Sequence, residues 1–103
     1  MRTLAVCSWS LRPESPDLLA DALGRVGIDA VQLALVPCVE QPAAWAGAVD
    51  RLRMRGIRTV SGMLATVGED YSTLETIAAT GGVRPAATWP RNLELAKATA
   101  ELA

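Results

Sequence analysis

The sequence predicts an α/β fold with a parallel sheet. Twice in the chain, a segment with the apolar spacing of a helix ends at a glycine and is followed by a β-rich run. The two runs, each beginning with that glycine, are GIDAVQL (27–33) and GIRTVSG (56–62), and they start 29 residues apart. Glycine favours the left-handed turn that follows a helix, and isoleucine and valine favour strands. A further β-rich run, TLAVCS (3–8), precedes the first helix. The chain therefore reads as βαβαβα with three parallel strands.

The first helix is predicted to begin at Ser15-Pro16 and to end at Gly27. Serine caps free backbone N–H groups at a helix start, and proline suits the first helical position. Apolar residues recur at the spacing of an amphipathic helix, at Leu18, Leu19, Ala22, Leu23 and Val26. The second strand is predicted over 30–35, and its mostly apolar character is typical of a strand covered on both faces.

A second helix is predicted from Pro42 to Gly56, followed by a third strand over 57–60. Its apolar side consists of Ala44, Trp45, Ala48, Val49 and Leu52. The two helices are expected to be neighbours on one side of a sheet, because they bury similar faces. Right-handed crossovers with all helices on one side lead to a barrel, whereas helices on both sides give an open, doubly wound sheet. Periodicity alone does not choose between the two.

The segment 63–88 is predicted to be a long loop that contains one short helix. The run Ser72-Thr73-Leu74-Glu75 fits a capping box with Ser72 as the cap, which predicts a helix over 73–79 that closes at Gly81-Gly82. A loop of this length in a compact domain is usually functional or disordered.

A last helix is predicted after this loop. Thr88 is expected to cap it, with Pro90 in its first turn. Leu93, Ala96 and Ala100 are expected to form its buried side.

Composition argues against several classes of protein. The net charge is −1, with 10 basic and 11 acidic residues, which argues against a nucleic-acid partner. The sequence has no apolar run long enough for a transmembrane helix, so no membrane partner is expected. Cys7 and Cys38 lack metal-type spacing and are expected to be free thiols in the cytoplasm. The absence of histidine removes the commonest general base and metal ligand.

Candidate binding residues follow from the rule that functional groups gather where barrel strands end. They are Cys7, Ser8 and Trp9 after the first strand, Gln32, Leu35 and Pro37 at the second, and Ser61 and Met63 after the third. Trp9 either stacks on a ligand or packs within a loop. Gln32 stands in an otherwise apolar strand, so its amide either bonds to polar neighbours or faces a ligand.

The loop residues Glu69 and Tyr71, with Asp70 between them, are further candidates. Paired carboxylates such as Glu69 and Asp70 bind a metal or share a proton in some sites, and more often simply face solvent. Ser61 is a poor candidate nucleophile, because no histidine is present to activate it.

Four runs resemble the start of the sugar phosphate isomerase/epimerase family, a group of xylose-isomerase-like TIM barrels. They are CSWSL (7–11), GIDAVQL (27–33), GIRTVSGM (56–63) and the loop that begins GEDYSTLE (68–75). The resemblance covers nearly all of the chain but only about the first third of a barrel. It implies that residues 1–103 are one incomplete (β/α)8 domain, the N-terminal fragment of an enzyme of carbohydrate metabolism.

The resemblance also implies an activity and a cofactor. Family members isomerise or epimerise sugars or sugar phosphates, with a divalent metal that polarises substrate oxygens and carboxylates that move a proton between adjacent carbons. The family's metal ligands come from later strands, so no catalytic residue, metal ligand or cofactor is assigned within this chain. Two positions depart from the family pattern. Gln32 stands where relatives commonly have glutamate, and Met63 lies where the related abasic-site endonucleases place a metal-binding histidine.

The resulting prediction is a substrate-pocket wall formed by Trp9, Gln32, Ser61 and Met63, with Glu69 and Tyr71 in a rim or lid. The chain by itself is expected to be inactive and to self-associate through its open sheet edges. Whether it counts as an enzyme is left open. The alternative is a non-catalytic α/β binding module that oligomerises through those edges.

Overall fold

The computed structural model describes residues 2–103, which form two compact units that meet in sequence at Met63 and Leu64. The first unit contains a three-stranded parallel sheet with the strand order β1-β2-β3. The strands are β1 (Val6–Cys7), β2 (Ala30–Ala34) and β3 (Arg58–Met63). The predicted α/β class with three parallel strands is therefore confirmed.

Five helices accompany the sheet in this first unit. They are α1 (Ser8–Leu11), α2 (Pro16–Val26), α3 (Val36–Glu40), α4 (Pro42–Trp45) and α5 (Ala48–Met54). The prediction of one continuous helix from Pro42 to Gly56 was wrong, because Gly47 interrupts it with a left-handed backbone at φ 62°. The short helices α1 and α3 were not predicted.

The two predicted helix–glycine–strand junctions are confirmed. Gly27 and Gly56 both adopt the left-handed conformation, at φ 78° and φ 77°. The Gly27 N–H donates to the Leu23 carbonyl at 2.9 Å, which satisfies a carbonyl in the last turn of α2. At the other end of α2, the Ser15 hydroxyl accepts the Leu18 N–H at 3.2 Å, as the serine–proline start predicted.

Two strand boundaries differ from the prediction. β1 ends at Cys7, because the chain turns at Ser8 into α1. β3 continues to Met63, so Ser61 and Met63 lie within the strand and not after it. The pairing of β2 with β3 contains an irregularity, since Val31 pairs with Thr59 whereas Gln32 pairs with Ser61. Val60 is therefore an extra residue in β3.

The core of the first unit lies on one face of the sheet. Leu19 and Leu23 of α2 and Leu52 of α5 pack there with Val31 and Leu33 of β2. Because side chains alternate along a strand, Gln32 and Ala34 lie on the opposite face. Two ion pairs, each 2.6 Å long, also link this region to α2. Arg51 of α5 pairs with Asp17, and Arg55, the residue after α5, pairs with Asp21.

The second unit contains the helices α6 (Leu74–Thr80) and α7 (Trp89–Leu102). The short helix is present, but the predicted Ser72/Glu75 capping box was displaced by one residue. Thr73 is the cap, and its hydroxyl accepts the Thr76 N–H at 3.1 Å.

The last helix has the predicted start but a different buried side. Thr88 is its N-cap residue and Pro90 lies in its first turn, although the Thr88 side chain makes no capping hydrogen bond. The buried side consists of Asn92, Leu95 and Thr99 and not of Leu93, Ala96 and Ala100. The Asn92 Oδ1 accepts the Val67 N–H at 2.8 Å, which provides this buried amide with a partner. None of the helices among residues 2–103 has the length and apolarity to cross a membrane.

Candidate functional site at the carboxyl ends of the strands

A cavity of about 270 Å³ lies in the first unit where β1 and β2 end. We call it the carboxyl-end cavity, and its lining residues are Ser8, Trp9, Arg12, Pro13, Ala34, Pro37 and Trp45. Ser8 directly follows β1, and Ala34 is the last residue of β2. This is the edge of a parallel α/β sheet at which ligands usually bind.

A hydrogen bond joins two lining residues of this cavity, the residue that follows β1 and the last residue of β2. The Ser8 hydroxyl accepts the Ala34 N–H at 2.8 Å, and Ser8 is buried. This bond holds the start of α1 against the end of β2. The next residue, Trp9, also lines the cavity and is 65% exposed.

The lining of the cavity includes two residues that the sequence did not single out as site candidates, Arg12 and Trp45. Arg12 has a left-handed backbone at φ 47°, the only positive φ among the non-glycine residues described by the structure. Its side chain makes no hydrogen bond or ion pair within residues 2–103. The indole N–H of Trp45 is buried and also has no partner in that range. Arg12 is the residue directly after α1, three positions beyond Trp9.

The sheet face opposite the core carries the other predicted pocket residues of the first unit. Gln32 and Ser61 are in register on β2 and β3, and Cys7 of β1 is in register with Gln32. Neither the Gln32 nor the Ser61 side chain has a hydrogen-bond partner within the described residues. Met63 reaches across this face, with its Sδ 3.4 Å from the Cys7 Sγ. Gln32, Ser61 and Met63 therefore lie on one face of the sheet, but none of the three lines the carboxyl-end cavity that Trp9 lines, and their role as a pocket wall stays a prediction.

Glu69 and Tyr71 lie in the second unit and contact each other. The Tyr71 hydroxyl donates to Glu69 Oε2, and Glu69 Oε1 accepts the Gly82 N–H at 3.2 Å. The hydrogen bond to Glu69 raises the pKa of Tyr71 above its ordinary value. Hydrogen bonds from Ser72 lower the pKa of Asp70. The role of Glu69 and Tyr71 as a rim or lid stays a prediction.

The carboxyl-end cavity offers no ligand set for the divalent metal that the family resemblance implies. Among residues 2–103, no three Asp, Glu or Cys side chains lie together as a metal site requires. The residues of the carboxyl-end cavity include no carboxylate. They do not fit a metal site, and the chemistry open to them is binding and orientation of a ligand.

A second cavity, of about 320 Å³, lies at the opposite ends of the strands. We call it the amino-end cavity, and its lining includes Gly27, Ile28, Asp29, Gly56 and Ile57. These residues precede β2 and β3. Conserved features at this end of parallel α/β barrels serve stability, whereas the carboxyl end carries function.

Comparisons with protein-family models, curated proteins and solved structures each found no match to this chain.

Proposed function

We propose that this chain is the N-terminal part of a sugar or sugar phosphate isomerase/epimerase of the xylose-isomerase-like barrel type. In this proposal its residues bind and orient the substrate at the carboxyl ends of β1 and β2. The family resemblance of the sequence suggests the activity. The geometry of the first unit supports the position of the site.

The strand order is compatible with a barrel segment, and it is equally compatible with the first half of a doubly wound sheet. The strands lie in the order in which they occur in the chain, β1-β2-β3. α2 and α5 also contact each other, and both contribute to one core. A doubly wound sheet reverses its strand order and changes the side of its helices only after the first three strands, so the family resemblance of the sequence, and not the strand order, favours the barrel.

The carboxyl-end cavity is the single observation that carries the proposal. It combines the exposed Trp9 with the exposed Arg12, whose side chain has no partner among residues 2–103, at the edge where barrel enzymes hold their substrates. An indole face packs against the C–H face of a sugar ring. On the adjoining strands, the Gln32 amide offers both a donor and an acceptor to sugar hydroxyls.

Calorimetric titration of the chain with free sugars and sugar phosphates tests this proposal. We expect Trp9→Ala and Gln32→Ala each to weaken binding about tenfold while the unfolding midpoint stays near that of the wild type. Met54→Ala, which truncates an exposed side chain of the first unit outside the cavity, is the control and keeps wild-type affinity. Equal losses of affinity and stability, or no binding of any sugar, would contradict the proposal.

One observation supports self-association, which the alternative of an oligomerising binding module requires. β3 is an edge strand of six residues, and Val60 within it is 48% exposed. An exposed apolar edge is a template for pairing with another chain. Self-association is compatible with either function. The sugar titration separates the two, because a module without a sugar site leaves every sugar unbound.

A further inference from the structure

We infer that Cys7 and Met63 form a binding site for a soft monovalent metal ion, Cu(I), on the face of the sheet opposite the core. The Cys7 Sγ lies 3.4 Å from the Met63 Sδ. Thiolate and thioether sulfurs are the protein ligands that select Cu(I). The pair is separate from the carboxyl-end cavity, whose lining includes neither residue, and the inference does not depend on the proposed function.

The parallel sheet holds the two sulfurs together. Cys7 ends β1 and Met63 ends β3, and β2 lies between these strands. Cys7 is in register with Gln32, and Met63 is in register with Ala34, so all four side chains lie on the same face. Ala34 has only a methyl side chain, which leaves room for Met63 to reach across β2. Because both ligands stand on paired strands, a metal ion would not have to order a loop to bind them.

The size and softness of this ligand set point to Cu(I) and away from the commoner metal ions. Among residues 2–103, no three Cys, Asp or Glu side chains lie close enough to hold a metal together. Structural Zn²⁺ takes four ligands, and Mg²⁺ and Ca²⁺ prefer oxygen. A thiolate with a thioether is too small and too soft a set for those ions, whereas Cu(I) is stable with fewer ligands of this kind.

The charge of the surroundings also suits a monovalent ion. The residues in register beside the pair, Gln32, Ala34 and Ser61, are uncharged. When Cu(I) binds, the Cys7 thiol releases its proton to solvent, the thiolate bonds the metal and the Met63 thioether donates a lone pair. Copper keeps its oxidation state, and the site is then neutral. A divalent ion would leave a net positive charge on this half-buried face, which is unfavourable.

Met63 is suited to adjust when the ion enters. The two sulfurs are in direct contact, so they must move apart to admit a metal ion between them. Methionine is unbranched, has three rotatable bonds and tolerates such rearrangement. Cys7 can therefore keep its position at the end of β1 while the Met63 side chain changes its rotamer.

Titration of the chain with Cu(I) under anaerobic conditions, in competition with a chromophoric Cu(I) chelator, tests the site. We expect one Cu(I) to bind per chain. Cys7→Ser and Met63→Leu should each weaken binding by about a hundredfold or more, because loss of a partner behind a metal ligand already costs about tenfold to a hundredfold. Met63→Leu nearly conserves volume, and the unfolding midpoint of each metal-free variant shows that it is folded.

The chain provides a matched control for each ligand. Cys38→Ser removes the other thiol, which packs against the core, and Met54→Leu removes an exposed methionine at the end of α5. Both variants should keep the wild-type affinity for Cu(I). Wild-type affinity in Met63→Leu, or equal losses in Cys7→Ser and Cys38→Ser, overturns the inference.

A second measurement needs no substitution in the site. Ag(I) has the same charge and softness as Cu(I) and does not change its oxidation state. In a chain with isotope-labelled methionine methyl groups, Ag(I) should shift the Met63 signal and leave the Met54 signal unchanged. A shift confined to Met54, or no shift at Met63 with Ag(I) in excess, overturns the site.

Discussion

The Cys7 Sγ lies 3.4 Å from the Met63 Sδ, so the outer strands β1 and β3 contact each other over the central strand β2. Cys7 ends β1 and Met63 ends β3, so the contact lies at the carboxyl ends of the strands. The long Met63 side chain spans the width of the central strand to make this contact, so it covers the Cys7 sulfur.

Met63→Ala is expected to expose the Cys7 thiol. In a Cys38→Ser background, the rate of Cys7 labelling by a disulfide reagent should rise several-fold, because the thioether no longer covers the sulfur. Cys38 is removed so that a single thiol reports. Met54→Ala, which truncates an exposed methionine at the end of α5, should leave the rate unchanged. An unchanged rate in Met63→Ala would contradict the contact.

Two alanine substitutions in and after α2 should have opposite effects on stability. A Cβ at Gly24 or at Gly27 would meet no atom within 4 Å, so the two sites differ in backbone conformation and not in space. Gly27→Ala places a Cβ at φ 78° and should destabilise the fold by about 1–2 kcal/mol. Gly24→Ala, inside the helix, should stabilise it by about 0.5–1 kcal/mol. Denaturant unfolding measures both, and effects of the same sign would contradict the assigned end of α2.

Tyr71 should ionise at higher pH than an ordinary tyrosine, because its hydroxyl donates to Glu69 and this hydrogen bond raises its pKa. It is the only tyrosine, so phenolate absorbance reports on it alone. Because folding raises the pKa of Tyr71, the contact makes its full contribution to the free energy of unfolding at pH values below the pKa that Tyr71 has in the unfolded chain. That contribution is lost as the pH rises through the folded-state pKa.

Glu69→Gln should lower the pKa of Tyr71 towards its ordinary value, since the carboxylate charge is removed. Glu75→Gln, at the start of α6, is the control and should leave the titration unchanged. If the wild-type and Glu69→Gln proteins titrate together, the Glu69–Tyr71 contact is absent in solution.

The chain is expected to self-associate through β3. Sedimentation at micromolar concentrations should show dimers or larger species, because the outer edge of β3 is unpaired within the described sheet and exposes Val60. Val60→Lys should shift the population towards the monomer. Val26→Lys, at a position 52% exposed at the end of α2, should not. A wild-type chain that sediments as a monomer throughout would contradict this prediction.

Local sequence signals predicted the elements that depend on local chemistry. Ser15-Pro16 located the start of α2, and Gly27 and Gly56 located the turns into β2 and β3, because caps and left-handed turns restrict the residue types they accept. The capping box of α6 was placed one residue too early. Ser72 and Thr73 are adjacent residues that can both cap a helix, and spacing alone does not distinguish them.

The features that depend on tertiary contacts could not be predicted in this way. The helix α1 has four residues and begins where the Ser8 hydroxyl bonds to Ala34 on another strand. The left-handed conformation of Arg12 follows from that turn, and nothing about an arginine before a proline indicates it. Of the residues that line the carboxyl-end cavity, the sequence had singled out Ser8, Trp9 and Pro37 as candidates but not Arg12 or Trp45.

The most direct test of the central claim is a map of backbone amide shifts in the chain on addition of glucose 6-phosphate. The claim predicts that shifts cluster at the carboxyl-end cavity, at Ser8, Arg12 and Ala34, and leave the amino-end cavity at Ile28 and Gly56 unchanged. Shifts confined to the amino-end cavity, or no shifts at saturating ligand, would contradict a substrate site at the carboxyl ends of β1 and β2.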